Sequence, residues 1–262
     1  MIIDAHVHLP LATRKGEFKL KKHTLISTMN RNDIDYAILI PDNIKNSNIG
    51  DLYKCLEIAN KEKRLFLVGV IDSSNLNKQK LNLDRLFKQG KIKGIKIFPG
   101  HDPISPIDKR FNSFYKLCIK YNLPLLIHTG RGSLKEKNQE FTNPEHILKL
   151  AKKFPHLKIV ACHFYPPNPK VFYKLTKKHK NIFYDISSLA FKEYINKIGK
   201  GNLIQFLREV IKENPEKVLF GSDYGCCGMK NHVELINSLR IPERLKKRVF
   251  YKNSQKVFNL EK

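Results

Sequence analysis

Cysteine is scarce and scattered. Five are present among 262 residues, at Cys55, Cys118, Cys162, Cys226 and Cys227. No two have the C-x-x-C spacing of a zinc site, and the total is too low for a disulfide scaffold. They read as reduced thiols of core and loop. Long apolar runs are missing too: none approaches the roughly 20 residues that a membrane span needs. The first residues enter a strand pattern directly, with no basic segment followed by an apolar one. A cytoplasmic protein with no membrane association is expected. No Gly-x-Gly-x-x-Gly follows the first strand, which removes the dinucleotide-binding α/β fold. There is no internal repeat, low-complexity tract or linker, so one domain over residues 1–262 is expected.

Acids are also few. Twenty-four Asp and Glu face 49 Lys and Arg, a formal charge of +25. An excess this large attracts anionic substrates or nucleic acid. The lysines, however, are spread along the whole chain. Short clusters, Lys177-Lys178-His179-Lys180 and Lys246-Lys247-Arg248, fall in segments that read as exposed helix faces. No RNP-like or zinc-finger pattern accompanies them. A solvated lysine-rich surface is favoured over a nucleic-acid groove.

What the chain does hold is an alternation of short apolar runs with longer helical patterns. Hydrophobic residues make up 41% of it, enough for one sizeable core. Eight runs read as strands: 2–6, 36–40, 65–71, 94–98, 125–128, 158–163, 182–186 and 218–221. Several are continuously apolar, as in Ala37-Ile38-Leu39-Ile40, which suits parallel strands covered on both sides. Asn143-Pro144-Glu145 is a helix start: a capping residue, Pro in the first turn, then an acid. Ile147, Leu148, Leu150, Ala151 and Phe154 then recur at helical spacing. Phe114, Leu117, Cys118 and Tyr121 repeat the pattern, as do Leu203, Phe206, Leu207, Val210 and Ile211. Eight β-then-α units in this length predict an α/β fold, a single (β/α)8 TIM barrel. Segments 99–109, 131–142 and 187–201 read as irregular loops. Each follows a strand, on the face where barrel enzymes keep their chemistry.

The strand ends carry that chemistry. Side chains alternate along a strand, so Asp4, His6 and His8 share one side of the first. Strand four carries Lys96. Strand five ends at His128, strand six at Cys162-His163, and strand eight runs into Gly221-Ser222-Asp223. Taken singly, a histidine on an apolar strand is more often a satisfied core residue than a ligand. Four of the ten histidines at such ends, with an Asp and a Lys, are another matter. Desolvating them costs several kcal/mol unless each finds a partner. A shared metal ion at the barrel mouth supplies one, and imidazole with carboxylate suits zinc or another first-row divalent ion.

These pieces resemble the amidohydrolase superfamily, in its amidohydrolase-related branch. The resemblance rests on Asp4-Ala5-His6-Val7-His8, Gly94-Ile95-Lys96-Ile97, Ile127-His128-Thr129-Gly130, Ala161-Cys162-His163, Tyr184-Asp185-Ile186-Ser187 and Leu219-Phe220-Gly221-Ser222-Asp223. The closing Asn253-Ser254-Gln255-Lys256-Val257-Phe258 resembles that branch's last helix. The resemblance implies that His6, His8, His128 and Asp223 bind a divalent metal ion, zinc foremost. It implies that Asp223 takes a proton from metal-activated water and that His163 polarises the substrate carbonyl or acts as acid and base. Arg131 is a candidate for a substrate carboxylate, its planar fork suiting that group; a surface arginine is the alternative. Tyr165 and Tyr224 are candidates for pocket lining or for ordinary loop aromatics.

Lys96 bears on the metal count. In two-metal members a carboxylated lysine on strand four bridges the ions. Here it is also a candidate for binding an anionic substrate, or for a structural pair with Asp4. One ion is favoured; two are accommodated through Lys96 and His163. Extra ligation by Cys226 and Cys227 is disfavoured, since the histidines and Asp223 already fill a site. The expected activity is a metal-dependent hydrolase cleaving a C–N or C–O bond of a small, anionic molecule. A decarboxylase of the same branch is the alternative, because the metal motifs do not separate the two. The TatD-type deoxyribonucleases also begin with His-x-His, but they resemble Gly-Glu-Ile-Gly and Glu-Thr-Asp where this chain has Gly94-Ile95-Lys96-Ile97 and Gly221-Ser222-Asp223. A barrel that kept these residues without catalysis is the remaining option, and the full ligand set speaks against it.

Overall fold

The computed structural model describes residues 1–11, 17–130 and 139–260, with Gln139 described by its backbone alone. Its strands are β1 (Ile3–Val7), β2 (Tyr36–Leu39), β3 (Leu65–Leu67), β4 (Gly69–Val70), β5 (Ile95–Ile97), β6 (Leu125–His128), β7 (Ile159–Cys162), β8 (Ile182–Asp185) and β9 (Val218–Leu219). Every pairing between them is parallel. β3 and β4 are one run interrupted at Val68. The Val68 N–H donates back to Leu39 O at 3.2 Å, while the Gly69 N–H donates forward to Gly94 O at 2.9 Å. That join leaves eight staves.

The ring closes between the first and the last. Ala5 N–H donates to Phe220 O at 2.8 Å, Asp223 N–H to His6 O at 2.9 Å and His8 N–H to Tyr224 O at 2.6 Å. The fold is therefore the α/β, (β/α)8 barrel that the alternation predicts. Strand residues divide between two apolar clusters by parity. Leu126, Val160, Cys162 and Leu219 lie in a small cluster, and their neighbours Leu125, Ile127, Ile159, Ala161 and Val218 in the large one. Such alternation is what a pleated strand imposes. Val257 and Phe258, from the closing helix Asn253–Phe258, join the small cluster. Lys96 pairs in register with Leu126, and His128 with Cys162, so both share that inner side.

Asn143 caps its helix as expected, accepting a hydrogen bond from Glu145 N at 2.9 Å. Segment 187–201 corrects the loop expectation: it holds a helix, Lys192–Ile198, and the start of the next, Lys200–Glu213. The first of these is short and only half-buries its apolar side chains, Ile195 and Ile198, against the core. A Glu193–Lys197 pair at 2.7 Å supports it, and Gly199, at φ +84°, turns the chain into the second. Among the described residues no helix is long and apolar enough to cross a membrane.

Asp4 sits at the closing seam, fully buried. Its Oδ1 accepts from His6 N at 3.1 Å and from Ser222 N at 2.9 Å, tying the first strand to the last. Burial raises its pKa from 3.8 to about 7, against the lowering effect of the Ser222 and His6 hydrogen bonds. A group whose folded pKa is raised binds its proton more tightly when native. Its contribution is present below the unfolded pKa and is lost as pH rises through about 7. A gap of about three units is worth about 4 kcal/mol. Asp4→Asn keeps an acceptor oxygen for both N–H groups and cannot ionise. In urea unfolding of chelator-treated protein, the variant should gain about 4 kcal/mol relative to the parent between about pH 4 and pH 8. A difference that stays constant with pH would show that Asp4 is not the group responsible.

Candidate metal centre

Five side chains from four strand ends converge at the mouth of the barrel. His6 and His8 come from β1 and its exit, His128 from the end of β6, His163 from just past β7, and Asp223 from beyond β9. Asp223 Oδ1 lies 3.5 Å from His6 Nε2 and 3.5 Å from His8 Nε2. Its Oδ2 lies 3.9 Å from His163 Nδ1. His163 Nε2 lies 3.0 Å from His128 Nδ1, which brings the fifth group in. His6, His163 and Asp223 each place a ligand atom within 4.8 Å of the others. His8 and His128 adjoin that trio through Asp223 and His163.

Three of the residues after the strands have left-handed backbones: His163 at φ +65°, Ser188 at +64° and Asp223 at +58°. For residues other than glycine this costs of order 1 kcal/mol or more each, and such strain collects where function needs it. Hydrogen bonds hold the bends. His163 N–H donates to Asp185 Oδ1 at 2.9 Å, and Tyr165 N–H to Thr129 Oγ1 at 2.9 Å. Gly225, at φ +108°, lets the last loop pass over β1: a Cβ there would come within 2.8 Å of His8 Cβ. Buried His232 joins the loop after β8 to the loop after β9. It takes the Ala190 N–H at 3.2 Å on Nε2, and its Nδ1 lies 2.9 Å from Gly228 O.

The residues fit a metal ion by a direct test. His6 Nε2 and His128 Nε2 are buried and have no hydrogen-bond partner. Leaving a buried polar atom unsatisfied costs about 1–3 kcal/mol. Both are imidazole nitrogens beside a carboxylate, the donor set that zinc and its neighbours take. Ligand atoms at about 2.0–2.1 Å from a tetrahedral zinc ion stand roughly 3.3–3.5 Å apart, the spacing of Asp223 Oδ1 from the two β1 imidazoles.

Electrostatics agree with that reading. Burial alone would raise the Asp223 carboxyl, but the imidazoles of His163, His8 and His6 outweigh it and hold it well below the usual range. Burial pushes His6 and His128 below 6.5 and His163 down to about 3. These imidazoles are therefore neutral, as ligands must be.

Lys96 is fully buried, its Nζ without a hydrogen-bond partner, 5.1 Å from the Phe98 ring centre. Asp4 and Lys96 form no ion pair among the described residues, which corrects the expectation of a structural pair; Asp4 spends its Oδ1 on backbone N–H groups instead. Cys226 is exposed, and Cys227 places its Sγ 3.9 Å from Ser188 Oγ. Tyr224 directs its hydroxyl to Thr28 at 3.1 Å, and Tyr165 stacks on Phe172 at 5.4 Å. Arg131 lies outside the described residues.

Four groups beside the centre carry no role in the sequence reading. Asp185, fully buried, lies 2.9 Å from His6 Nδ1. Ser187 Oγ touches Asp185 and lies 2.8 Å from His163 Nδ1. Ser188 Oγ donates to Asp223 Oδ2 at 2.6 Å. The ring of His101 is 4.4 Å from that of His128. Asp185 closes an apolar run as His128 and His163 do, and that signal was available. His101 and the serines lie in loops, where no pattern marks them.

Since His6 and His128 are held below 6.5, protons compete with a metal for them only in more acid solution. Metal affinity measured by indicator competition should be flat from about pH 8 to pH 6.5 and fall below that. A steep loss already between pH 8 and 7 would contradict this burial effect.

The family described as Amidohydrolase matches residues 51–260. The matched span leaves out β1 and with it His6 and His8. No curated protein matches the chain in sequence. Among solved structures, an uncharacterised TIM-barrel protein of Bordetella bronchiseptica is similar at TM-score 0.79, with 17% identity over 98% of each chain. 5-Carboxyvanillate decarboxylase of Novosphingobium aromaticivorans, complexed with manganese and a nitrobenzoic acid, is similar at TM-score 0.71, with 15% identity over 99% of this chain and 96% of that one. A probable 2-pyrone-4,6-dicarboxylic acid hydrolase of Acinetobacter baumannii, with citric acid bound, is similar at TM-score 0.67, with 15% identity over 98% and 99%. At these identities the likeness is one of fold.

Proposed function

The chain belongs to the amidohydrolase family, and from that premise we propose a metal-dependent hydrolase whose single divalent ion, zinc, is held by His6, His8, His128 and Asp223. The observation that carries the proposal is the pair of buried, unpartnered nitrogens, His6 Nε2 and His128 Nε2, beside an ionised Asp223. An ion bound there supplies Lewis acidity and makes water acidic enough to be a nucleophile near neutral pH.

The chain's own groups do the rest. Asp223 accepts the proton that the attacking water loses. Its Oδ1, facing His6 and His8, would hold the ion; Oδ2 accepts the Ser188 hydroxyl and keeps a second lone pair for that proton. His163 is neutral and stands beside the carboxylate, placed to take up a proton and return it to the leaving group of a C–N or C–O bond. Buried Lys96 and Arg131, which follows His128 by three positions in the sequence, together favour a small substrate that carries a carboxylate. Both similar proteins named for an activity are named for carboxylic acids. The protein works in the cytoplasm and needs neither membrane nor nucleic acid.

The second reading is a decarboxylase. Lys96 favours it: a buried ammonium without a counter-charge can hold a carboxylate against the metal, where loss of carbon dioxide takes the place of hydrolysis. A substrate screen that scores carbon dioxide beside hydrolysis products separates the two. For the site itself, metal content decides. The parent should bind one divalent ion per chain, His8→Ala should lose it, and Lys96→Ala should keep it. If Lys96→Ala halves a stoichiometry of two, the single-ion reading is wrong. If His8→Ala binds as the parent does, the assigned ligands are wrong.

A further inference from the structure

The hydrogen bonds around the centre have a direction, and it can be traced from a single group. An ionised carboxylate only accepts. Asp185 Oδ2 lies 2.9 Å from His6 Nδ1, so that nitrogen carries the proton and His6 Nε2 is left with a bare lone pair. Asp185 Oδ1 takes the hydroxyl proton of Ser187. A serine has one proton to give, so toward the rings Ser187 Oγ can only accept. His163 Nδ1, at 2.8 Å, is therefore its donor, and His163 Nε2 is bare. That nitrogen lies 3.0 Å from His128 Nδ1, which must then carry the proton, leaving His128 Nε2 bare. His8 is set separately, its Nδ1 donating to the Ile40 carbonyl at 2.8 Å.

Two of the lone pairs that trace back to Asp185, on His6 Nε2 and His128 Nε2, are buried and without a partner. We propose that Asp185 is the positioning residue of the centre: directly for His6 and through Ser187 for His163 and His128, it fixes which ring nitrogens are bare. The inference rests on the metal-centre reading only for its consequence, since the tautomers exist in the metal-free protein. The carboxylate–histidine contact orients a ligand from behind. Here one carboxylate does so for two ligands on opposite sides of the barrel mouth.

The test is nitrogen-15 NMR of the histidine rings in chelator-treated protein, paired with zinc affinity by indicator competition. In the parent, His6 and His128 should be protonated at Nδ1. Asp185→Asn can keep its oxygen on the His163 and Ser187 N–H groups, which turns its NH2 toward His6. His6 should then move its proton to Nε2, His128 should not change, and zinc affinity should fall 10–100-fold. Ser187→Ala should do the converse: His6 stays protonated at Nδ1, and the His128 preference weakens, since Ser188 Oγ, its proton given to Asp223, is left as the acceptor for His163 Nδ1, at 3.3 Å. A parent with His6 protonated at Nε2 would overturn the proposal. So would an Asp185→Asn variant that loses affinity with its His6 tautomer unchanged, for then Asp185 is only structural. If Asp185→Asn does not fold, the parent and Ser187→Ala spectra still decide. A parent that binds no zinc but shows these tautomers sinks the proposed function and leaves this inference standing.

Discussion

Inside a closed barrel of parallel strands, inward side chains have only one another to face. That constraint governs the rest of the structure. Low in the barrel it is met by apolar groups such as Leu126, Val160 and Leu219 packed on the closing helix. At the mouth the same inward positions carry His6, Lys96, His128 and Asp185, which must be paired there or leave buried atoms unsatisfied. Most are paired by one another. Three nitrogens there are not, His6 Nε2, His128 Nε2 and Lys96 Nζ, and the two imidazole nitrogens mark where the interior lacks a partner.

The same constraint accounts for the strain. Bringing ligand groups together from different strands requires the chain to turn sharply as each strand ends. His163, Ser188 and Asp223 do this with left-handed backbones that their side chains do not favour. The seam between β1 and the last strand is also where buried Asp4 is held, with a pKa raised to about 7. Stability is given up where the site is assembled, and the apolar shell under the helices makes it good.

Much of this was legible in the sequence. Continuous apolar runs such as Ala37–Ile40 mark strands buried on both faces, and the helical repeats between them supply their cover. The strand ends were legible because a titratable residue stands out when it closes an apolar run; His128, His163 and Asp223 do so. Asp185 obeys the same rule, yet what it does depends on a ring nitrogen 179 positions away, which no local pattern contains. The helix Lys192–Ile198 was hidden because it is short and its half-buried Ile195 and Ile198 give too brief a repeat to mark it. The pairing of Lys96 with Asp4 was a sound guess from strand position. Instead Asp4 Oδ1 takes two backbone N–H groups, while Asp4 Oδ2 and Lys96 Nζ each stay without a hydrogen-bond partner.

The thiols near the site matter less than their positions suggest. Cys162 stands close enough to His6 and Asp185 to share an ion with them, and Cys227 lies against Ser188, yet in the proposed centre imidazole and carboxylate alone hold the ion. X-ray absorption at the zinc edge of the loaded protein tests that most directly. A shell of nitrogen and oxygen only, with the outer scattering of three imidazoles, is the predicted result. A sulfur shell near about 2.3 Å, or a spectrum without imidazole scattering, would contradict it.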